Sequence, residues 1–157
     1  MKYIFSVLAI ALLFCGCSKN DSTSCNYDAC AIVAPAAEIQ AVKDYLTTQN
    51  ITNAVQHCSG LFYVIDNQGT GKKPDACSYV SVNYKGSLTN GTVFGNGAFQ
   101  TGLDGVITGW RNGVPQINAG GRIRLYIPPT LGYGSQPNGP IPANSILIFE
   151  IDLNSVQ

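Results

Sequence analysis

The 157-residue sequence is poor in charge, since Lys, Arg, Asp and Glu together make up 11% of it, and it holds one histidine, one tryptophan and one methionine. Nine basic residues balance nine acidic ones. No basic stripe is present to replace the counterions of a phosphate backbone, so binding to DNA or RNA is set aside. His57 has no nearby carboxylate in the sequence and reads as a surface residue rather than a base. The glycine clusters GTG, GNG and AGG lack the lysine and the following helix of a phosphate-binding loop, so they read as turns. Asp104, Glu150 and Asp152 are the acidic residues that could suggest a catalytic pair. Glu150 and Asp152, however, alternate with Phe149, Ile151 and Leu153 and belong on the solvent face of a strand.

What the chain does have is apolar residues, 45% of the total, enough to fill one domain. It begins with MKYIFSVLAIALLFCGC, in which a lysine precedes an apolar run from Tyr3 to Phe14 and then small residues. The run is short for a membrane span and reads as an export signal over residues 1–16. The F-C-G-C segment resembles a bacterial lipobox. The glycine before Cys17 marks that cysteine, rather than Cys15 behind the bulky Phe14, as the lipidated residue. Residues 17–33 then form a polar tether carrying a cysteine pair, and the domain contacts the membrane only through the lipid. The expected location is the cell envelope, anchored to a bacterial membrane on its periplasmic side or at the cell surface.

Cys25, Cys30, Cys58 and Cys77 remain. An even number in an exported chain points to disulfides, and four cysteines allow three connectivities. Cys25–Cys30 with Cys58–Cys77 is the favoured one, the second link requiring a bend between two strands that start beside those residues. The spacings lack the paired knuckles of a zinc site, so no metal is expected.

Residues 34–59 form a helical extension. Pro35 suits a first helical turn, and Ile39, Val42 and Leu46 recur at helical spacing, so one amphipathic helix should pack by that stripe. From Gly60 to the end, residues 60–157, the pattern is β. LFYVID and SYVSVNYKGSL alternate, Asn90-Gly91 signals a hairpin, and RIRLYIPP and SILIFEIDL complete the strands. Thr108 is placed to cap one short helix in VITGWRNGV. The fold class is therefore α+β: a curled antiparallel sheet of about five strands wrapped over one short helix, preceded by the N-terminal one.

The blocks NYKGSLTNGTVF, GVITGWRNGV, GGRIRLYIPPTLGYG and GPIPANSILIFEIDL stand in the order and spacing of the FKBP-type peptidyl-prolyl cis-trans isomerases. Between Gly60 and Leu153 the chain resembles that family. The resemblance implies an apolar cup for a proline ring, built from Tyr84, Phe94, Ile107, Trp110, Tyr133 and Phe149. Phe99, Val106 and Ile141 are implied as further substrate-binding positions. One wall is the uncharged loop LGYGSQPNGPIP, Leu131 to Pro142. The implied partners are proline-containing segments, no cofactor is called for, and the chain is expected to be a monomer.

Any single aromatic residue in a strand is by default part of a core. The family-matched positions, taken together, favour the cup. Cis-trans isomerisation breaks no covalent bond; it twists an amide over a barrier of roughly 18–20 kcal/mol. A dry apolar cup that favours the twisted amide is sufficient chemistry, with the Ile107 N–H and the Tyr133 hydroxyl implied as donors to substrate carbonyls. The chain departs from the family at Gly95, where an aspartate is usual, in the short loop that follows, and at Asn83 in the block N-Y-K-G. These departures leave two expectations: an isomerase of weakened turnover that assists folding of exported proteins, or a non-catalytic module that holds proline segments.

Overall fold

Burial alternates along Tyr79–Leu88 and Leu147–Val156, and this pattern places one face of each strand in the core. The structure is a computed structural model that describes residues 25–157. The signal segment and Cys17 lie outside the described residues.

In chain order the elements are α1 (Ala36–Thr48), β1 (Val55–Gln56), β2 (Phe62–Asn67), β3 (Tyr79–Leu88), β4 (Val93–Gly102), α2 (Thr108–Gly113), β5 (Gly121–Ile127) and β6 (Leu147–Val156). The strands form one antiparallel sheet in the order β1-β2-β5-β6-β3-β4. The α+β class holds. The sheet has six strands rather than about five, because β1, only two residues long, forms within the extension expected to be helical. Asn90-Gly91 makes the hairpin turn: Gly91 has φ +85°, and Leu88 N–H donates to Thr92 O at 2.9 Å.

Helices cover both faces of the sheet. Gly109 and Gly113 of α2 sit one turn apart, and a side-chain carbon at either would strike Ile127 or Leu125 of β5. Their bareness lets α2 lie close on the concave face, above Val80, Val82, Ile123, Leu125 and Phe149. On the opposite face the stripe of α1 behaves as the spacing predicts: Val42 and Leu46 are buried against Phe62, Val64 and Tyr126, with Ile39 partly buried beside them.

Both helix starts differ by one residue from expectation. Pro35, extended at ψ 147°, precedes the first turn of α1, and Ile107, extended at ψ 148°, precedes that of α2. Thr108 is thus the first helical residue and caps nothing. The Ile107 carbonyl instead accepts from Trp110 N–H at 3.0 Å and Arg111 N–H at 3.1 Å.

The favoured disulfide pairing is corrected. The bonds are Cys25–Cys77 and Cys30–Cys58, with Cα separations of 5.7 and 5.6 Å. β2 and β3 are not neighbours; β5 and β6 lie between them, so Cys58 and Cys77 do not start adjacent strands. The N-terminal segment reaches both. Residues 25–34 accordingly lie along the domain as a strap rather than a free tether. The Tyr27 hydroxyl donates to Asn112 Oδ1 at 2.8 Å, and Asn112 Nδ2 donates to Ala29 O at 3.0 Å. The Arg111 guanidinium stacks 3.8 Å from the centroid of the Tyr27 ring. Burial raises the Tyr27 phenol above its ordinary value against the pull of Arg111, which keeps it a donor.

Glu150 lies on the outer face as expected and is shared by Arg122 at 3.0 Å and Lys85 at 3.3 Å. Asp152 meets Arg122 at 3.6 Å. Asn83, also outward, bonds Asn154 at 3.4 Å. These half-exposed pairs mark the wet face and each contributes at most about 1 kcal/mol. His57 is half-buried rather than a surface residue, because a turn closes over it: Gly60 N–H donates to His57 O, and Ser59 N–H donates to its Nδ1 at 3.2 Å.

Candidate functional site

Where the concave face of the sheet passes the start of α2, a cavity of about 440 Å³ opens to solvent. All the cup positions inferred from the sequence line it: Tyr84, Phe94, Phe99, Val106, Ile107, Trp110, Tyr133, Ile141 and Phe149. Gly95, Gly105, Asn138, Gly139 and Pro140 complete the wall. Asp104 is exposed outside it, and His57 is not at the site.

Trp110 is the floor. It is 4% exposed, and its ring centroid lies 5.2 Å from that of Phe149, 5.5 Å from Tyr84 and 6.4 Å from Phe99, all near edge-to-face. Phe94 packs edge-to-face on Phe149 at 5.4 Å. Such pairs add about 0.5–1.5 kcal/mol each beyond area burial, so these rings are packed on one another without a ligand. The indole Nε1 is buried without a hydrogen-bond partner among the described residues, a cost of roughly 1–3 kcal/mol. The site thus keeps a flat indole at its base at some expense to the fold.

Register explains how Phe94 and Phe99, odd in spacing, reach one cavity. Gly86 pairs with Gly95 but Ser87 pairs with Val93, so Phe94 is the extra residue of a β-bulge and is re-aimed inward. The room it fills is at Gly86, where a side chain would overlap the rings of Phe94 and Phe149. The stretch read as a short loop before Phe99 is therefore strand: β4 runs unbroken through Gly95, Asn96 and Gly97.

The opposite wall, Leu131 to Pro142, is stapled to itself. Asn138 and Ile141 exchange backbone hydrogen bonds at 2.9 and 3.0 Å around Gly139-Pro140, with Gly139 at φ +54°. Asn144 N–H donates to Gly134 O at 2.8 Å, while buried Leu131 and Ile141 anchor the two sides. Glu38 of α1 accepts from both Thr130 N–H and Thr130 Oγ1 at 2.8 Å and holds the turn that feeds this loop. Tyr133 stands at the rim, 40% exposed. Neither its hydroxyl nor the Ile107 N–H has a hydrogen-bond partner among the described residues.

Among the residues that line the cavity there is no carboxylate, amine, imidazole or thiol. The arrangement can seat an apolar ring, exclude water and offer a few hydrogen-bond donors. Sequence reasoning placed the Leu131–Pro142 loop in the wall but did not single out Asn138 and Gly139-Pro140 within it, although a G-P dipeptide is a turn signal. It also missed the strap contact between Tyr27 and Asn112, which joins positions 85 residues apart and leaves no local signature.

A sequence model described as FKBP-type peptidyl-prolyl cis-trans isomerase matches residues 70–154. The chain is similar to the FKBP-type peptidyl-prolyl cis-trans isomerase FkpA of Buchnera aphidicola subsp. Schizaphis graminum. The two are 46% identical over 106 residues, which is 63% of this chain and 42% of that protein. The chain thus spans less than half the length of that curated relative. Among solved structures, FkpA from Escherichia coli superposes with a TM-score of 0.70 at 37% identity, covering 78% of this chain and 61% of that one. The peptidyl-prolyl cis-trans isomerase of Pseudomonas syringae pv. tomato gives 0.68 at 31% identity, covering 79% of this chain and 97% of that one.

Proposed function

The chain belongs to the FKBP-type peptidyl-prolyl cis-trans isomerase family, and on that premise we propose that it isomerises Xaa-Pro bonds of exported proteins in the cavity above Trp110. The observation that carries the reading is the convergence of every inferred cup residue on one uncharged cavity.

The proline ring sits on the indole face of Trp110, between Phe94, Phe99 and Phe149. Water is displaced from the carbonyl of the preceding residue, which disfavours the planar, well-hydrated amide more than the twisted one. Ile107 N–H and the Tyr133 hydroxyl donate to substrate carbonyls and hold the pose. Each such bond is worth roughly 0.5–1.5 kcal/mol net, so most of the rate comes from the shaped, dry pocket. Cys17 carries the lipid that keeps this domain in the cell envelope, and the substrates are proteins folding there.

Gly95 favours a second reading. With no carboxylate at that position, the same cup can hold proline segments as a chaperone with little or no turnover. NMR exchange in an Xaa-Pro peptide separates the two, using a soluble form beginning after Cys17 and its Tyr133→Phe variant. The isomerase reading expects acceleration that falls in the variant; binding without acceleration makes the chain a holder. For the anchor, Cys17→Ser is expected to release the protein from membranes, and a variant that stays bound would show that the lipobox reading is wrong.

A further inference from the structure

We propose that the free edge of β4 is a docking strand for the extended residues that flank a bound proline, so that partners are held by backbone hydrogen bonds as well as by the cup. The inference rests on the reading of the cavity as the proline site.

The sheet has two edges, and they are treated differently. At one end β1 is only two residues long, which leaves little backbone to pair. At the other end β4 offers ten residues, VFGNGAFQTG, with no charge and no proline anywhere along it. Edges of this length are ordinarily blunted by lysine, proline or cover, because unpaired N–H and C=O groups recruit other chains. Here the open edge lies against the cavity, since Phe94, Gly95 and Phe99 of β4 are part of its wall. A polypeptide whose proline is seated in the cup therefore leaves it beside β4.

The composition of β4 suits that role. Gly95, Asn96, Gly97 and Ala98 are small or short and let a second backbone approach, and Phe99, 43% exposed, offers an apolar contact at the rim. In an antiparallel strand alternate residues turn their N–H and C=O away from the existing neighbour, β3, and among the described residues these have no backbone partner. Main-chain pairing carries no demand on side chains, and an uncharged strand imposes none of its own. The partner is thus an extended stretch of polypeptide centred on Xaa-Pro, whatever side chains flank the proline.

The test uses the full chain in detergent and synthetic peptides of about four and about eight residues, each with one central Xaa-Pro. Two further long peptides carry N-methyl groups on alternate flanking amides, in opposite phase. We expect the long peptide to bind about tenfold tighter than the short one, the gain from roughly two backbone hydrogen bonds. One methylation phase should abolish that gain and the other leave it. The amide protons of β4 should exchange more slowly with the long peptide bound. A gain that survives both phases, or slowed exchange confined to the Leu131–Pro142 loop, overturns the proposal. Self-association that protects the β4 amides without peptide and blocks the gain also overturns it, since the edge would then serve a second copy. Failure of the cup reading looks different: the short peptide neither binds nor isomerises, yet a long peptide with alanine for proline still protects β4.

Discussion

Placing a carboxylate on the bare position of the cavity wall, Gly95→Asp, is the perturbation whose outcome reaches furthest. Gly95 faces Gly86 in the ladder and lacks a left-handed φ, so the backbone accepts aspartate. A side-chain carbon there would lie 3.2 Å from Tyr84 Oη and 3.7 Å from Tyr84 Cε2, a contact relieved by a few tenths of an ångström of ring movement. The carboxylate is then within reach of the Tyr84 hydroxyl, and a charge-assisted bond of about 1.5–3 kcal/mol offsets much of the cost of partly desolvating it. Reduced chain entropy in the unfolded state adds roughly 0.4–1 kcal/mol. Folding stability should therefore shift by no more than about 1 kcal/mol, since these gains and the desolvation cost nearly cancel. If even half of the new bond's energy is realised only with the twisted amide, kcat rises about four- to thirteenfold, because each 1.36 kcal/mol is a factor of ten. NMR exchange of an Xaa-Pro peptide reads the rate, and the Tyr84 ring resonances report that the carboxylate has arrived. Shifted Tyr84 resonances with an unchanged or slower rate would refute the reasoning and show that an apolar wall at Gly95 limits nothing.

Trp110→Ala is expected to weaken proline-peptide affinity by at least about tenfold and to cost about 3 kcal/mol, the low end for Trp→Ala, because the new space joins an open cavity and no hydrogen bond is lost. Peptide titration with denaturant unfolding checks this, and unchanged affinity would make the residue mere core. Opening the disulfides should lower stability: sequence separations of 28 and 52 correspond to loop terms of about 3.6 and 4.1 kcal/mol taken singly. Tyr27→Phe, which removes only the hydroxyl bond to Asn112, should cost about 1 kcal/mol. Denaturant midpoints with and without reductant, equal for both forms, would contradict the strap. Burial holds the His57 imidazole below its ordinary value. The unfolded chain therefore binds the proton first: its contribution is fully present above pH ~6.5 and is lost as pH falls through the folded pKa. His57→Gln should flatten that limb of the stability profile, and an identical slope would exclude this residue as its source.

Side-chain period is local chemistry, and what depended on it was legible. Alternation located β3 and β6, the Ile39-Val42-Leu46 stripe located α1 and Asn90-Gly91 located the hairpin, while the cup residues came from the family resemblance carried by the motif blocks. Features resting on which strands are neighbours were not legible. The disulfide pairing failed because β5 and β6 insert between β2 and β3. The helix starts shifted because Ile107 and Pro35 take extended backbone and surrender the first turn to the next residue. The convergence of Phe94 with Phe99 needed a bulge, and the strap needed a buried asparagine that accepts from Tyr27 and donates to Ala29. By itself, then, the order of residues determined most of the elements, because propensity and pattern act over a few bonds, and its motif blocks carried the family resemblance that implied the cavity wall. Only the tertiary structure decided strand order, cysteine partners, the re-aimed phenylalanine and the open edge of β4, because those follow from packing between segments far apart in the chain.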